Sequence, residues 1–318
     1  MEEKFVPAAE PAAVQPAPAA PLPVQPTGKK SGNFSVLMLI AGIVLGIYVI
    51  SLIIPFIWSL LTSFKGRYEF DDNIFGLPQT WTIENFVTVF NAFAVRVESG
   101  AGFRTVFLEE MFLYSILYAV GCAIAGTTTQ MVVAYLCAKY RYKFSKVIYT
   151  VVIVVMVLPI VGSLPSELQM ANRLGIYDTI WGMYIMKANF LGMYFLVFYA
   201  NFKALSNEYA DAARVDGAGN FRVMISIIFP LVRNTYFTIF LLNFIGFWND
   251  YQTPLIYIPN WPTVAYGLYS TFQSTSGDLS NVPVKLAACL MMLIPILIIF
   301  LIFHNRLMGN ITVGGLKE

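Results

Sequence analysis

Charged residues are scarce in this 318-residue chain. Aspartate, glutamate, lysine and arginine make up 12% of it, whereas an ordinary soluble domain carries about 25%. Because a soluble protein needs charge on its surface, this shortage excludes a soluble protein. The 20 basic and 18 acidic residues leave a formal net charge of +2, which is too small to indicate nucleic-acid binding.

Cysteine and histidine are scarce as well. Cys122, Cys137 and Cys289 lie inside apolar runs, with spacings typical of neither a metal site nor a disulfide framework. The single histidine, His304, falls at the end of the last apolar run, where an interfacial position is the simpler interpretation. No nucleophile–base–orienter set is recognisable, and no phosphate-binding G-x-x-x-x-G-K-[S/T] loop occurs. We therefore predict that the chain is not an enzyme and carries no metal or cofactor of its own.

Apolar residues are abundant instead. They make up 58% of the chain, with a mean hydropathy of +0.67, and the many aromatics exclude a disordered protein. Continuous runs of about 20 apolar residues can cross the bilayer as helices and exclude a transmembrane β-barrel. We predict an all-α, multi-pass membrane protein in the lipid bilayer. Its six expected spans are 34–61, 111–138, 147–164, 180–200, 236–258 and 284–303, of which the third is weakest.

The two ends of the chain are predicted to face the cytoplasm. Residues 1–30 are rich in alanine and proline and lack the pattern of a signal peptide, so we expect a disordered cytoplasmic tail before a membrane domain at 31–318. Basic residues favour this orientation by the positive-inside rule, most strongly the four between Lys139 and Lys146. The aromatic-rich segments 64–110 and 259–283 would then lie outside, either as an interfacial belt or as a docking surface for an external protein.

The loop between the fourth and fifth expected spans, at 206–230, carries the most informative local pattern. Ser206 or Asn207 can cap a helix, and Glu208 and Asp211 suit its first turns. Gly217 and Gly219 can end that helix, and Asn220 can cap a second one that stops near Pro230. The small side chains of its alanines would let another protein approach closely. Either the pair passes motion between a soluble partner and the membrane helices, or it is an ordinary amphipathic connector.

The same loop resembles the signature of ABC importer membrane subunits, E-A-A-x-x-x-G followed after nine residues by I-x-L-P. Here it reads Asp211-Ala212-Ala213, then Gly217, then Ile227-Ile228-Phe229-Pro230, with Asp in place of Glu and Phe in place of Leu. The wider runs Ala213–Ala218, Gly246–Asp250 and Ile311–Gly315 are similar to the maltose-type, carbohydrate-uptake branch.

This resemblance implies an ABC importer permease fold and half of a translocation pathway. Such permeases pair with a second, similar permease subunit and two cytoplasmic ATPase subunits, which bind the ATP and magnesium. An extracytoplasmic solute-binding protein delivers the substrate, here a carbohydrate, and the whole lies in a prokaryotic cell membrane. The expected ATPase-coupling residues are Glu208, Asp211, Ala212, Ala213, Asp216, Gly217 and Pro230.

An ion-gradient-driven secondary transporter or channel is the competing class. Such proteins usually carry intramembrane carboxylates or histidines as relays and often contain inverted repeats, and no convincing repeat is visible here. An ATPase that copurifies with the chain would favour the importer.

Five residues are candidates for the substrate pathway: Lys187, Trp248, Asn249, Asp250 and Tyr251. Aromatic rings and amide or carboxylate groups suit the stacking and hydrogen bonding of sugars, although interhelical packing would explain them equally. Lys187 and Asp250 lie at matching depths below the expected outer boundary. They are predicted to form an ion pair in one transport state, with a snorkelling lysine and a solvated aspartate as the alternatives.

Overall fold

The computed structural model describes residues 36–100, 102–140, 142–158, 162–273 and 277–311, so the predicted tail lies outside the described residues. Two compact units divide at Leu52. The described part of the first unit is the beginning of one helix, and its described side chains are exposed. Every other element belongs to the second unit, which begins at Ile53.

Helices dominate the described chain, as predicted. In order they are α1 (Val36–Ser63), α2 (Arg67–Asp72), α3 (Glu84–Ala92), α4 (Leu108–Lys139), α5 (Lys143–Val157), α6 (Leu164–Arg173), α7 (Ile180–Lys187), α8 (Met193–Ala204), α9 (Glu208–Val215), α10 (Asn220–Arg222), α11 (Phe229–Asn249), α12 (Gln252–Tyr257), α13 (Val264–Gln273) and α14 (Val282–Ile311). A π-helical segment, Val223–Ile228, joins α10 to α11, and a 3-10 turn occupies Asp278–Ser280. Strands β1 (Ala94–Ser99) and β2 (Gly102–Phe107) form an antiparallel hairpin.

Four helical stretches among the described residues are long and apolar enough to cross a membrane. They are Met38–Ser63, Leu108–Lys139, Asn220–Asn249 and Val282–Ile302. Each overlaps a span expected from the sequence. The remaining two expected spans, 147–164 and 180–200, correspond to shorter helices, with α5 covering most of the first. The predicted all-α, multi-pass architecture is confirmed.

The run at 180–200, which is expected to span the membrane, is not one continuous helix, because the chain breaks between α7 and α8. The side chain of Asn189 accepts a hydrogen bond from the Leu191 N–H at 2.7 Å, which gives the backbone an alternative to the helical bond. The Lys187 carbonyl also lies so close to α4 that a Cβ on Gly126 would be 3.1 Å from it. Hydropathy measures how apolar a run is and does not register a side chain that competes for backbone hydrogen bonds. The break therefore cannot be predicted from hydropathy.

The expected span at 236–258 is also interrupted, where α11 ends at Asn249 and α12 begins at Gln252. Pro254 has no N–H to donate to the Asp250 carbonyl, and its ring would clash with that carbonyl in a continuous helix. The Asp250 carboxylate instead accepts the Thr253 N–H at 3.0 Å. Lys187 and Asp250 thus both lie at helix ends rather than in the middle of spans.

Helix α4 is the central element, packed against α7, α8 and α11. One buried cluster surrounds its first half, with Met111 and Tyr114 against Phe244 and Trp248 of α11. A second cluster surrounds its last half, where Tyr135 packs with Phe202 of α8. Because α4 contributes to both clusters, it joins them in one packed unit.

The segment expected outside the membrane at 64–110 folds into α2, α3 and the hairpin. Asn85 fixes its start by donating to the carbonyls of Ser63 and Lys65 at 2.8 Å each. The Glu69 carboxylate accepts backbone N–H groups of Gln79 and Thr80. These hydrogen bonds, mainly the one from Gln79, hold the pKa of Glu69 below its ordinary value.

Candidate functional site

The segment 206–230 forms an exposed helical bend. Helix α9 ends at Val215, and Gly217, two residues later, has a φ of 81° in the left-handed region. The Gly217 N–H donates to the Arg214 carbonyl at 3.0 Å, and the Ala218 N–H donates to the Ala213 carbonyl at 2.9 Å. This pair of bonds is a Schellman cap, in which glycine avoids the strain that a Cβ would bring. The bend predicted at Gly217 is therefore present.

Three details of the loop differ from the sequence expectation. Gly219 keeps a φ of −68° and precedes α10, so Gly217 alone makes the left-handed turn, and Asn220 is a helical residue rather than a cap. Pro230 does not stop the second helix, since α10 continues through the π-helical segment into α11. Proline cannot donate to the residue four positions earlier, and the wider π turn before Pro230 accommodates that loss.

Lys139, at the end of α4, fastens the start of the loop. Its ammonium donates to the Leu205 carbonyl at 2.7 Å and to the Asn207 side-chain oxygen at 2.9 Å. Asn207 therefore does not cap α9, and the Ser206 hydroxyl accepts the Glu208 N–H at 3.2 Å instead. From the sequence, Lys139 indicates only the orientation of the chain in the membrane. Its role depends on a contact between residues 66 positions apart, which no local pattern contains.

The alanines of α9 divide between two faces. Ala210 and Ala213 are buried against the chain's own second cluster, near Val223 and Ile228. Ala212 is exposed. The expectation that Ala210 and Ala213 leave room for another protein is thus wrong, because they let α9 approach the helices beneath it.

The outer face of the bend combines charge with large exposed apolar groups. Glu208, Asp211 and Asp216 are exposed, and the Asp211 carboxylate pairs with Arg214 at 2.8 Å. Val215 is 87% exposed and Phe221 is 73% exposed. Val215 lies outside the candidate membrane spans, and Phe221 is the second residue of the stretch Asn220–Asn249. Apolar groups this exposed at the start of such a stretch are typical of a surface that contacts another protein or the membrane.

A polar cavity of about 260 Å³ lies between α4, α6, α7 and α11. Glu167 and Lys187 bring opposite charges to it, and the Tyr257 hydroxyl donates to Glu167 at 2.7 Å. The side-chain oxygen of Gln130, which also lines the cavity, is buried without a hydrogen-bond partner among the described residues. Such an unpaired acceptor is costly unless a ligand or water reaches it.

The cavity offers both donors and acceptors beside an aromatic wall. Asn189 and Asn243 line it with amides. The Lys187 ammonium lies 5.8 Å from the centre of the Phe247 ring. Of the residues expected on the pathway, Lys187 lines this cavity. Glu167, Gln130 and Asn243 were missed, because they lie on separate elements and no sequence pattern links them.

Lys187 and Asp250 form no ion pair in this structure. Asp250 accepts the Tyr118 hydroxyl at 3.0 Å and the Thr253 N–H. The ion pairs found among the described residues are Arg104–Glu110 and Arg214–Asp211. Lys187 instead occupies the last turn of α7, where a positive charge suits the helix dipole, and Asp250 suits the start of α12.

The other expected pathway residues have different surroundings. Trp248 is buried in the first cluster and donates to the Met292 carbonyl at 3.3 Å, so it packs helices together. Asn249 is exposed and donates to the Ile245 carbonyl of its own helix. Tyr251 stacks on Tyr269 with ring centres 4.5 Å apart, beside a separate cavity of about 220 Å³.

Comparison with known proteins agrees with this fold. A crystal structure of a bacterial ABC transporter involved in the import of the acidic polysaccharide alginate contains a similar chain. The TM-score is 0.72 at 21% identity, over 86% of this chain and 98% of that one. This likeness concerns the fold.

Similar sequences occur among curated proteins. The diacetylchitobiose uptake system permease protein NgcG of Streptomyces coelicolor is 25% identical over 276 residues, which cover 83% of this chain and 84% of NgcG. The melibiose/raffinose/stachyose import permease protein MelC of Bacillus subtilis is 24% identical over 270 residues, which cover 83% of this chain and 91% of MelC.

A family model described as the inner membrane component of binding-protein-dependent transport systems matches residues 130–311. The match covers more than half of the chain and includes both the bend at 206–230 and most of the residues around the polar cavity. With its apolar helices, this chain belongs to the family of binding-protein-dependent transport system inner membrane components.

Proposed function

We propose that this chain is one of two similar permease subunits of an ATP-driven carbohydrate importer, with the bend at 206–230 as its contact with an ATPase. Family membership confirms that the chain is the membrane subunit and not the ATPase. It also implies a partner permease, an ATPase and a substrate-binding protein. The finer proposal is a complex with two ATPase subunits, which hold the ATP and magnesium, in a prokaryotic cell membrane with the bend on the cytoplasmic side.

The observation that carries the coupling proposal is the exposed bend itself. The Schellman cap at Gly217 fixes the angle between α9 and α10, and Lys139 fixes the start of the loop to α4. Val215 and Phe221 stay exposed on this fixed bend. A rigid bend with apolar groups at its surface suits insertion into a cleft of a soluble partner.

Uptake measurements test the coupling role. Gly217→Pro fixes φ near −65° and removes the bend, and Asp211→Lys reverses a charge on the exposed face. We expect both variants to assemble in the membrane but to lose substrate uptake and substrate-stimulated ATPase activity. Asp72→Lys, an exposed charge reversal on α2, is the matched control and should transport normally. Wild-type uptake by either loop variant would contradict the proposal.

The carbohydrate substrate is supported by the relatives and by the polar cavity. NgcG and MelC are described as permeases for sugars. Sugar hydroxyls both donate and accept hydrogen bonds, and sugar rings pack on aromatic faces. The cavity supplies Glu167 and Gln130 as acceptors, Lys187 as a donor and Phe247 as a face. The comparisons offer no support for an ion-gradient-driven transporter.

A panel of sugars offered to the reconstituted complex tests the substrate proposal. The measured quantity is stimulation of ATPase activity, with amino acids as the matched non-sugar panel. We expect oligosaccharides to stimulate ATPase activity. We expect Glu167→Gln to weaken transport about 10- to 150-fold, as the loss of a charge-assisted hydrogen bond would (about 1.5–3 kcal/mol). Stimulation by amino acids alone would contradict it.

A further inference from the structure

A second and larger cavity, of about 680 Å³, lies where α4 ends and α5 begins, and the transport role leaves it unused. Residues from α4, α5 and α8 line it. Because α4 is long and apolar enough to span the membrane, its last residues lie at a membrane boundary. The cavity therefore belongs at the level of the lipid head groups.

The lining of this cavity is positively charged. Lys143, Lys146 and Lys203 all line it, and all three are exposed. None of the described residues that line it is acidic. Neither Lys143 nor Lys146 takes part in the ion pairs found in the described part of the chain. Three ammonium groups around one cavity, none of them in an ion pair with a described residue, favour an anion.

The first turn of α5 strengthens this preference. Lys143 is the first residue of the helix, and the turn contains no acidic residue. Tyr142, which precedes it, makes no side-chain capping bond. Backbone N–H groups and a partial positive charge thus meet at the helix N-terminus. Lysines at a helix N-terminus are repelled by the partial positive charge there, and a bound anion would neutralise both the lysines and that partial charge.

Tyrosines and apolar groups complete the cavity. Tyr149 and Tyr199 pack with ring centres 4.7 Å apart, and the Lys203 ammonium lies 5.6 Å from the centre of the Tyr199 ring. The cavity extends from Lys143 to Thr150 along α5, which is about 10 Å at 1.5 Å per residue. Cys137 and Ala138 of α4 add apolar groups to the lining. An amphipathic lining of this kind suits a lipid better than a free ion.

We propose that this cavity binds the phosphate head group of an anionic phospholipid, with Lys143, Lys146 and Lys203 supplying the positive charge. The proposal rests on membership of the membrane-component family and not on the identity of the transported substrate. Lys203 lies on α8 two residues before Leu205, whose carbonyl Lys139 holds. A lipid here would therefore sit beside the anchor of the bend at 206–230.

Native mass spectrometry of the complete purified transporter tests the proposal. Phosphatidylglycerol and phosphatidylcholine with the same acyl chains are offered to the wild type and to Lys143→Gln/Lys146→Gln/Lys203→Gln. We expect the wild type to retain phosphatidylglycerol in preference, and each lysine removed to weaken retention about fivefold. Arg233→Gln, an exposed basic position on α11, is the matched control and should retain the lipid.

Further variants and ligands distinguish a bound lipid from other occupants of the cavity. Lys143→Arg/Lys146→Arg/Lys203→Arg keeps the charge at the same three positions and should keep the lipid, which separates loss of charge from loss of the lysine side chains. Equal retention by the glutamine variant and the wild type, or equal binding of the two lipids, would overturn the proposal. So would displacement of the lipid by millimolar inorganic phosphate, which would indicate a free-phosphate site. A photo-crosslinker at Tyr142 that captures an ATPase subunit in place of lipid would also overturn it.

Discussion

Asp178 holds together the connection before α7 and the connection between α12 and α13, at the cost of backbone strain. Its φ of 55° is left-handed, the one such non-glycine value among the described residues. The side chain accepts both the backbone and the amide N–H of Asn260, and its carbonyl accepts the Trp261 indole N–H at 3.0 Å. Its own N–H donates to the Tyr257 carbonyl at 2.9 Å. The hydrogen bonds thus offset a conformation that an L-residue adopts only at some cost.

Substitutions at Asp178 separate strain from hydrogen bonding. Asp178→Ala keeps the strain and loses the side-chain bonds, so it should destabilise the protein by about 2–3 kcal/mol. Asp178→Asn, a residue that tolerates left-handed φ and keeps acceptor capacity, should cost less, and Asp178→Gly should fall between. Thermal unfolding of the purified complex measures the order. An alanine variant as stable as the asparagine variant would contradict this account.

At the scale of elements, the π-helical segment joins α10 to α11 within the bend at 206–230. Its six residues, Val223–Ile228, end just before Phe229, and Pro230 follows in the first turn of α11. The wider π turn adds a residue relative to an α-helix, so it sets the rotation of α9 and α10 about the axis of α11. One residue of α-helix corresponds to about 100° of rotation.

Pro230→Ala should therefore disturb coupling without unfolding the protein. Alanine can donate the missing hydrogen bond, so the segment can relax to an α-helix and turn the bend away from its partner. We expect unchanged or higher thermal stability together with reduced uptake. Pro295→Ala, which replaces a proline inside α14, is the control and should transport normally. Wild-type uptake by Pro230→Ala would show that the π turn does not set the docking angle.

Local signals predicted more than long-range ones did. The turn at Gly217 could be predicted from residues within one helical turn of it, and Gly217 has the left-handed φ that such a turn needs. The breaks after Lys187 and Asn249 did not follow from hydropathy, because Asn189 and Pro254 interrupt helices inside runs that remain apolar. The polar cavity could not be predicted at all, since Glu167 and Gln130 meet only after α4 and α6 have packed.

At the scale of the whole molecule, the orientation in the membrane remains a prediction from charge. Arg222 and Asp72 are both exposed and lie on opposite sides in the expected topology. Cys122 and Cys137 are buried, and the partly exposed Cys289 can be replaced by serine to lower the background.

Cysteine labelling in intact cells tests the orientation. An impermeant thiol reagent should label Asp72→Cys from outside, and Arg222→Cys only after the membrane is permeabilised. The charge bias predicts this order because translocating basic residues is disfavoured. External labelling of Arg222→Cys would show that the predicted topology is reversed. The bend would then not face the ATPase.

The unbroken helical course from Asn220 to Asn249 has a mechanical consequence. These 30 residues form a rod about 45 Å long at 1.5 Å per residue. Asn243 and Phe247, near one end, line the polar cavity, while the other end begins at the bend. Each degree of pivoting about the midpoint moves the two ends about 0.4 Å in opposite directions. A displacement of the bend in one direction would thus move the cavity end of the helix in the opposite direction.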